Sequence, residues 1–195
     1  MRYLLNICGS LIILTFCIPA WAQMPTYNVG RTPTPEEIRA ADTAIGPEGK
    51  ELPPGSGTAK QGAPIFAQKC AACHGPSGEG TNFSAPCGCS RLVGGKGTIT
   101  TANPIVTVGS FWPFATTIWD FINRAMPFNK PGSLTADEVY ALTAFLLYRN
   151  GIIQETDLLD AKSLPKVQMP NRNGFVPANP QWEQVRKPGP FGVYP

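Results

Sequence analysis

Cys70-Ala71-Ala72-Cys73-His74 is the stretch from which the rest of this chain is read. Two cysteines three residues apart lie on one face of a helix, so both thiols can reach a single flat macrocycle. The histidine that follows directly comes beneath the centre of that macrocycle. C-x-x-C-H is the attachment sequence of a c-type haem, in which the thiols bond the porphyrin and the histidine ligates the iron. A bare C-x-x-C also serves as a redox dithiol or as half of a zinc site. The zinc reading lacks donors, because His74 is the sole histidine and no second C-x-x-C occurs. One covalent haem c on Cys70, Cys73 and His74 is therefore expected, with the dithiol as the alternative.

The N-terminus agrees with that chemistry, since c-type attachment takes place outside the cytoplasmic membrane. Arg2 supplies a positive start, Leu11-Ile12-Ile13-Leu14-Thr15-Phe16 an apolar centre, and Ala20-Trp21-Ala22 a small-x-small cleavage pattern. Residues 1–22 are read as a signal peptide cleaved after Ala22, giving a periplasmic protein with no membrane span after processing. The apolar stretch is short for a span and ends at Pro19. Cys8 and Cys17 would leave with the leader, so Cys70, Cys73, Cys87 and Cys89 remain of the six cysteines. A net charge of +3 over 195 residues is too mild to indicate nucleic acid or a membrane surface as partner.

Outward from the motif, the expected fold class is all-α, with a haem domain over residues 58–151 between long irregular arms. Residues 23–57 are dense in proline and glycine and form an N-terminal extended arm. Within that arm, Thr34-Pro35-Glu36-Glu37 carries a capping box that predicts one short helix. Leu52-Pro53-Pro54-Gly55-Ser56-Gly57 reads as a turn or linker. A helix is expected over residues 63–72, then a glycine-rich loop over 75–80 and another at Gly94-Gly95-Lys96-Gly97. A second helix is predicted from about Pro113 to Arg124, with Phe114, Ile118, Phe121 and Ile122 on its apolar face. The third has Thr135 and Glu138 as a capping box, Val139, Leu142, Phe145 and Leu146 as an inward stripe, and Asn150-Gly151 as its stop. Residues 152–195 form a C-terminal arm that wraps the haem domain or lies on a partner.

With the only histidine already used, the sixth iron ligand needs another donor, and a thioether suits it. Met126, in Arg124-Ala125-Met126-Pro127, is the expected distal ligand; Met169, also followed by proline, and an open or otherwise ligated position are the alternatives. The metal ligands are thus His74 and Met126. Filled axial positions give substrate no route to the iron, so no catalytic residue is expected and the chemistry is that of an electron carrier.

The C-x-x-C-H helix, the loop methionine and the capped last helix together resemble a class I cytochrome c. That likeness would make Pro86 the family proline whose carbonyl accepts a hydrogen bond from the ligating histidine. Over roughly residues 27 to 177 the chain resembles the cytochrome subunits of Sox sulfane dehydrogenases more closely. Leu92-Val93-Gly94-Gly95, Thr107-Val108-Gly109-Ser110-Phe111-Trp112-Pro113, Arg124-Ala125-Met126-Pro127-Phe128 and Met169-Pro170-Asn171-Arg172-Asn173-Gly174-Phe175 carry the likeness. It implies an electron-transfer subunit beside a molybdopterin-containing, sulfite-oxidase-type subunit in sulfur-compound oxidation, passing electrons to a downstream respiratory cytochrome.

Two other function classes compete. A freestanding soluble shuttle for another dehydrogenase or a terminal oxidase would need only the haem core, and a copurifying partner separates it from a subunit. An enzyme acting at the haem or at Cys87 and Cys89 would need an open iron position or a reactive thiol. Cys87-Gly88-Cys89 falls outside the family pattern. Exported thiols tend to be oxidised, so a small strained ring is expected there rather than free, intermolecular or metal-bound thiols. Alkylation without reductant followed by intact-mass measurement should then find neither thiol modified; two alkylated cysteines would exclude the bridge.

Overall fold

Threonine side chains that accept from the backbone three residues on open three of the helices of this protein, a computed structural model that describes residues 29–80 and 91–176. The leader, Met24, Pro86, Cys87 and Cys89 lie outside the described residues. Residues up to Ala41 form one unit and those from Asp42 onward another. In the first, α1 (Pro35–Ala41) starts as its sequence requires. The Glu37 amide donates to Thr34 Oγ1 at 3.2 Å, the Thr34 amide donates to Glu37 Oε2 at 2.8 Å, and Arg31 pairs with Glu37.

The second unit contains α2 (Ala59–Lys69), α3 (Ala71–His74), α4 (Ala115–Ala125) and α5 (Ala136–Arg149). A two-residue antiparallel pair joins β1 (Ser56–Gly57) to β2 (Leu159–Asp160), with Ser56 opposite Asp160 and Gly57 opposite Leu159. A single turn of 3-10 helix covers Leu164–Lys166. The fold is mostly helical, as expected. No helix among the described residues is long and apolar enough to cross a membrane.

Three of the sequence expectations need correction in detail. The first helix of the domain starts at Ala59, not residue 63, because Thr58 and Gln61 form a second capping box, and it ends at Lys69. On α4 the buried face is Ala115, Ile118, Trp119 and Ile122, while Phe121 is 46% exposed and Phe114 is the N-cap. The segment read as a linker is part of the core domain. Leu52 is buried, β1 pairs with β2, and Tyr140 Oη donates to the Pro53 carbonyl at 2.9 Å. Burial pushes the Tyr140 phenol up to about 12, so it remains a donor across the physiological range.

The core centres on α5, which is buried almost all round from Val139 to Leu147. Against it lie Phe66 of α2, 4.9 Å from Phe145 between ring centroids, and Trp119 of α4, 5.5 Å from Tyr140. Beyond Gly151 the chain returns to this core and buries Leu159, Leu164 and Met169. Each buried leucine contributes about 1.5–3 kcal/mol, so this part of the trailing arm holds its own domain together.

The helices α2 and α5 meet with backbone against backbone. A Cβ on Gly62 would collide with the Ala141 carbonyl, and one on Gly57 with the Ala141 backbone. Helix propensity alone says that Gly62→Ala should stabilise the protein by about 1 kcal/mol. Because there is no room for the methyl, the variant should instead lose about 1–3 kcal/mol, read as a lower urea midpoint at unchanged slope.

Candidate functional site

The attachment motif forms the joint between two helices. Cys70 ends α2, its amide donating to the Phe66 carbonyl at 2.9 Å, and it also precedes the single turn α3. The Cys73 and His74 amides both donate back to the Cys70 carbonyl, at 3.1 and 3.0 Å, so one carbonyl gathers all three motif residues into a turn. Cys70 and His74 are half-buried and Cys73 is exposed. Cys70 and Met126 both border the buried core cluster, as do Ile65, Ala71, Leu92, Val93 and Trp112.

After His74 the chain reverses through Gly75, whose φ of 80° is open to glycine and strained for a side chain. The loop closes on itself when the Gly80 amide donates to the His74 carbonyl at 2.7 Å. The Leu92 and Val93 amides donate to the Gly78 carbonyl at 2.8 and 3.0 Å, which fastens the segment from Arg91 onward to this loop. Asn150 then fastens that segment to α5. Its Oδ1 accepts from the Gly94 amide at 3.0 Å and its Nδ2 donates to the Leu92 carbonyl at 3.1 Å. From sequence Asn150 was only a helix stop, because Asn-Gly gives no sign of bonding a segment 56 to 58 residues away.

Met126 is the C-cap of α4, and its amide donates to the Ile122 carbonyl at 3.0 Å. Pro127 follows through a cis peptide. Phe128 beyond it is 84% exposed. Met169, the alternative methionine, is buried in the core.

The donor set suits a haem. Two thiols on one turn, an adjacent imidazole and a thioether at the end of another helix are the attachment points and axial ligands that a c-type haem uses. Half-buried apolar side chains that pack on the same core, among them Ile65, Ala71, Leu92, Val93 and Trp112, offer surface that a flat apolar macrocycle would cover. On α4, Thr116 Oγ1 and Trp119 Nε1 are buried without a hydrogen-bond partner among the described residues. Those residues contain no group of three His, Cys, Asp or Glu side chains that could hold a bare metal ion. The dithiol alternative fits less well. Burial pushes the Cys70 thiol up to about 11, whereas a redox C-x-x-C lowers the pKa of its attacking cysteine.

Comparison with known proteins places these residues in context. The family model described as cytochrome c oxidase, cbb3-type, subunit III matches residues 57–146. A chain in the crystal structure of the sulfane dehydrogenase SoxCD from Paracoccus pantotrophus is similar at 40% identity and a TM-score of 0.68. The match covers 83% of this chain and 76% of that one. No curated protein matches the sequence.

One ion pair stands next to the motif. Lys69 Nζ, at the residue before Cys70, lies 2.6 Å from Glu138 Oε1, and Glu138 also accepts from the Thr135 amide at 2.9 Å to cap α5. The Lys69 hydrogen bond, followed by the Thr135 amide, holds the Glu138 carboxyl below the ordinary carboxylate range. Its stabilisation is therefore present above the unfolded-state pKa and is lost as pH falls through the lowered folded one. Glu138→Gln should cost about 1 kcal/mol at neutral pH, and the gap to the parent should close in acid, as followed by urea unfolding between pH 7 and pH 3.

Proposed function

We propose, from the premise that this chain belongs to the cytochrome c family, that it is the electron-transfer subunit of a sulfur-compound dehydrogenase. Bound haem would supply one-electron chemistry at its iron. Cys70 and Cys73 would hold the macrocycle through thioethers, His74 would be the proximal ligand and Met126 the distal one. The hydrogen-bonded loop from Gly75 to Gly80, and its ties through Gly78 to Leu92 and Val93, keep the backbone around His74 fixed. A backbone held by its own hydrogen bonds would let a site change charge with little rearrangement.

The observation that carries the subunit reading is the 40% identity to a chain of SoxCD over 83% of this one. By that relationship the electron donor would be a molybdopterin-containing, sulfite-oxidase-type subunit, and the acceptor a downstream respiratory cytochrome. Residues 1–22 would direct the chain to the periplasm, with cleavage after Ala22. The haem domain would span residues 58–151, with arms at 23–57 and 152–195. One observation favours a second reading, a freestanding shuttle. Leu159, Leu164 and Met169 already spend part of the trailing arm on the chain's own core. Purification from the native source separates the two, since a subunit brings a molybdenum protein with it and a shuttle does not.

Ligation can be checked on the isolated protein. The ferric form should show the near-infrared methionine-to-iron band, Met126→Ala should abolish it and open the reduced iron to carbon monoxide, and Met169→Ala should retain it. Retention in the first variant with loss in the second would move the ligand to Met169.

A further inference from the structure

The middle of α4 carries a buried carboxylate with a specific set of donors, one of them from the helix's last turn. Asp120 is 7% exposed, and its Oδ1 accepts from Arg124 Nε at 2.9 Å while Oδ2 pairs with the same guanidinium. Oδ1 also accepts from the Ile45 amide at 3.1 Å, a backbone group 75 residues earlier in the chain. A buried carboxylate without partners is strongly disfavoured, and planar guanidinium binding at two oxygens fixes orientation as well as charge. Arg124 is itself half exposed. Its pairing is therefore not required to solvate its own charge, and what it fixes is the helix end two residues before Met126.

We infer that Asp120 is a positioning residue for Met126, joining the last turn of α4 to the Ile45 segment in a clamp that must open before the Met126 thioether can be displaced. This rests on the reading of Met126 as the distal ligand. Met126 caps α4 through its amide bond to the Ile122 carbonyl, so withdrawing its side chain by more than a rotamer change frays that turn. Fraying separates Arg124 from a carboxylate that two other elements hold in place: the helix interior on one side and the Ile45 amide on the other. An ordinary exposed i, i+4 pair contributes only a few tenths of a kcal/mol and resists nothing in particular. A buried, three-donor version at the ligand's own helix end resists the one motion that exchanges the ligand.

Imidazole, which binds ferric iron only when the thioether leaves, is the probe. Titration of the ferric holoprotein, followed by bleaching of the near-infrared band, should show imidazole binding about tenfold tighter in Asp120→Asn than in the parent. Arg124→Gln, at a half-exposed position that does not need repacking, should show a similar gain. The double variant should bind no tighter than either single one, because all three break one clamp. Thermal midpoints measured in parallel separate a merely structural role, which would lower the midpoint and leave imidazole affinity unmoved. An intact band with parental affinity in Arg124→Gln overturns the clamp alone, as do gains that multiply in the double variant. Absence of the band from the parent protein would overturn the ligand reading and the clamp with it.

Discussion

Close approach of α2 to α5 is the constraint on which the rest of the domain depends. Gly62 of α2 and Gly57 of β1 both lie against the backbone of Ala141, where neither position has room for a Cβ. That crossing brings Phe66 against Phe145. It also fixes the line along which α2 runs to its end, where Lys69 reaches Glu138 and Cys70 begins the attachment turn. A wider crossing would move Cys70 away from the core it borders. The packing of two small residues therefore sets the position of the chemistry.

Hydrogen bonds do the remaining work on the far side of the motif. His74 is followed by a loop without regular structure, and such a loop is rigid only if its backbone groups find partners. They find them in each other and in a short relay. Gly80 bonds to His74, Leu92 and Val93 bond to Gly78, and Asn150 bonds to the segment from Leu92 to Gly94. Both ends of α5 thus serve the site, Glu138 through Lys69 and Asn150 through the glycine-rich segment. The longest buried helix acts as a frame for the segments on either side of the motif.

The trailing segment shows what composition leaves open. Its prolines and lack of periodicity argue against regular structure, and among its described residues it has only a two-residue strand and one 3-10 turn. Irregular backbone still buries apolar side chains when a core leaves room for them, and Leu159, Leu164 and Met169 do so, as an arm that wraps its own domain must. In the segment around Pro53, turn-forming residues conceal a buried leucine and a backbone acceptor for Tyr140.

By itself the sequence determined much of the local structure and suggested the chemistry. The spacing of Cys70, Cys73 and His74 points to haem attachment because the placing of side chains three and four apart on a helical turn is a local property. The caps at Thr34 and Thr135 form as read, since a cap needs only residues three apart. The stripe on α5 is buried for the same reason. What only the tertiary structure decided depends on partners far away in the chain. Trp119 and Phe121 are both apolar and two residues apart on α4; Trp119 packs against Tyr140 in the interior, while Phe121 is left at the surface. The bonds from Asn150 to Leu92 and Gly94, from Asp120 to Ile45 and from Tyr140 to Pro53 have no local signature. Each joins a side chain to a backbone group that every residue possesses, so the sequence names the donor or acceptor but only the folded chain names its partner.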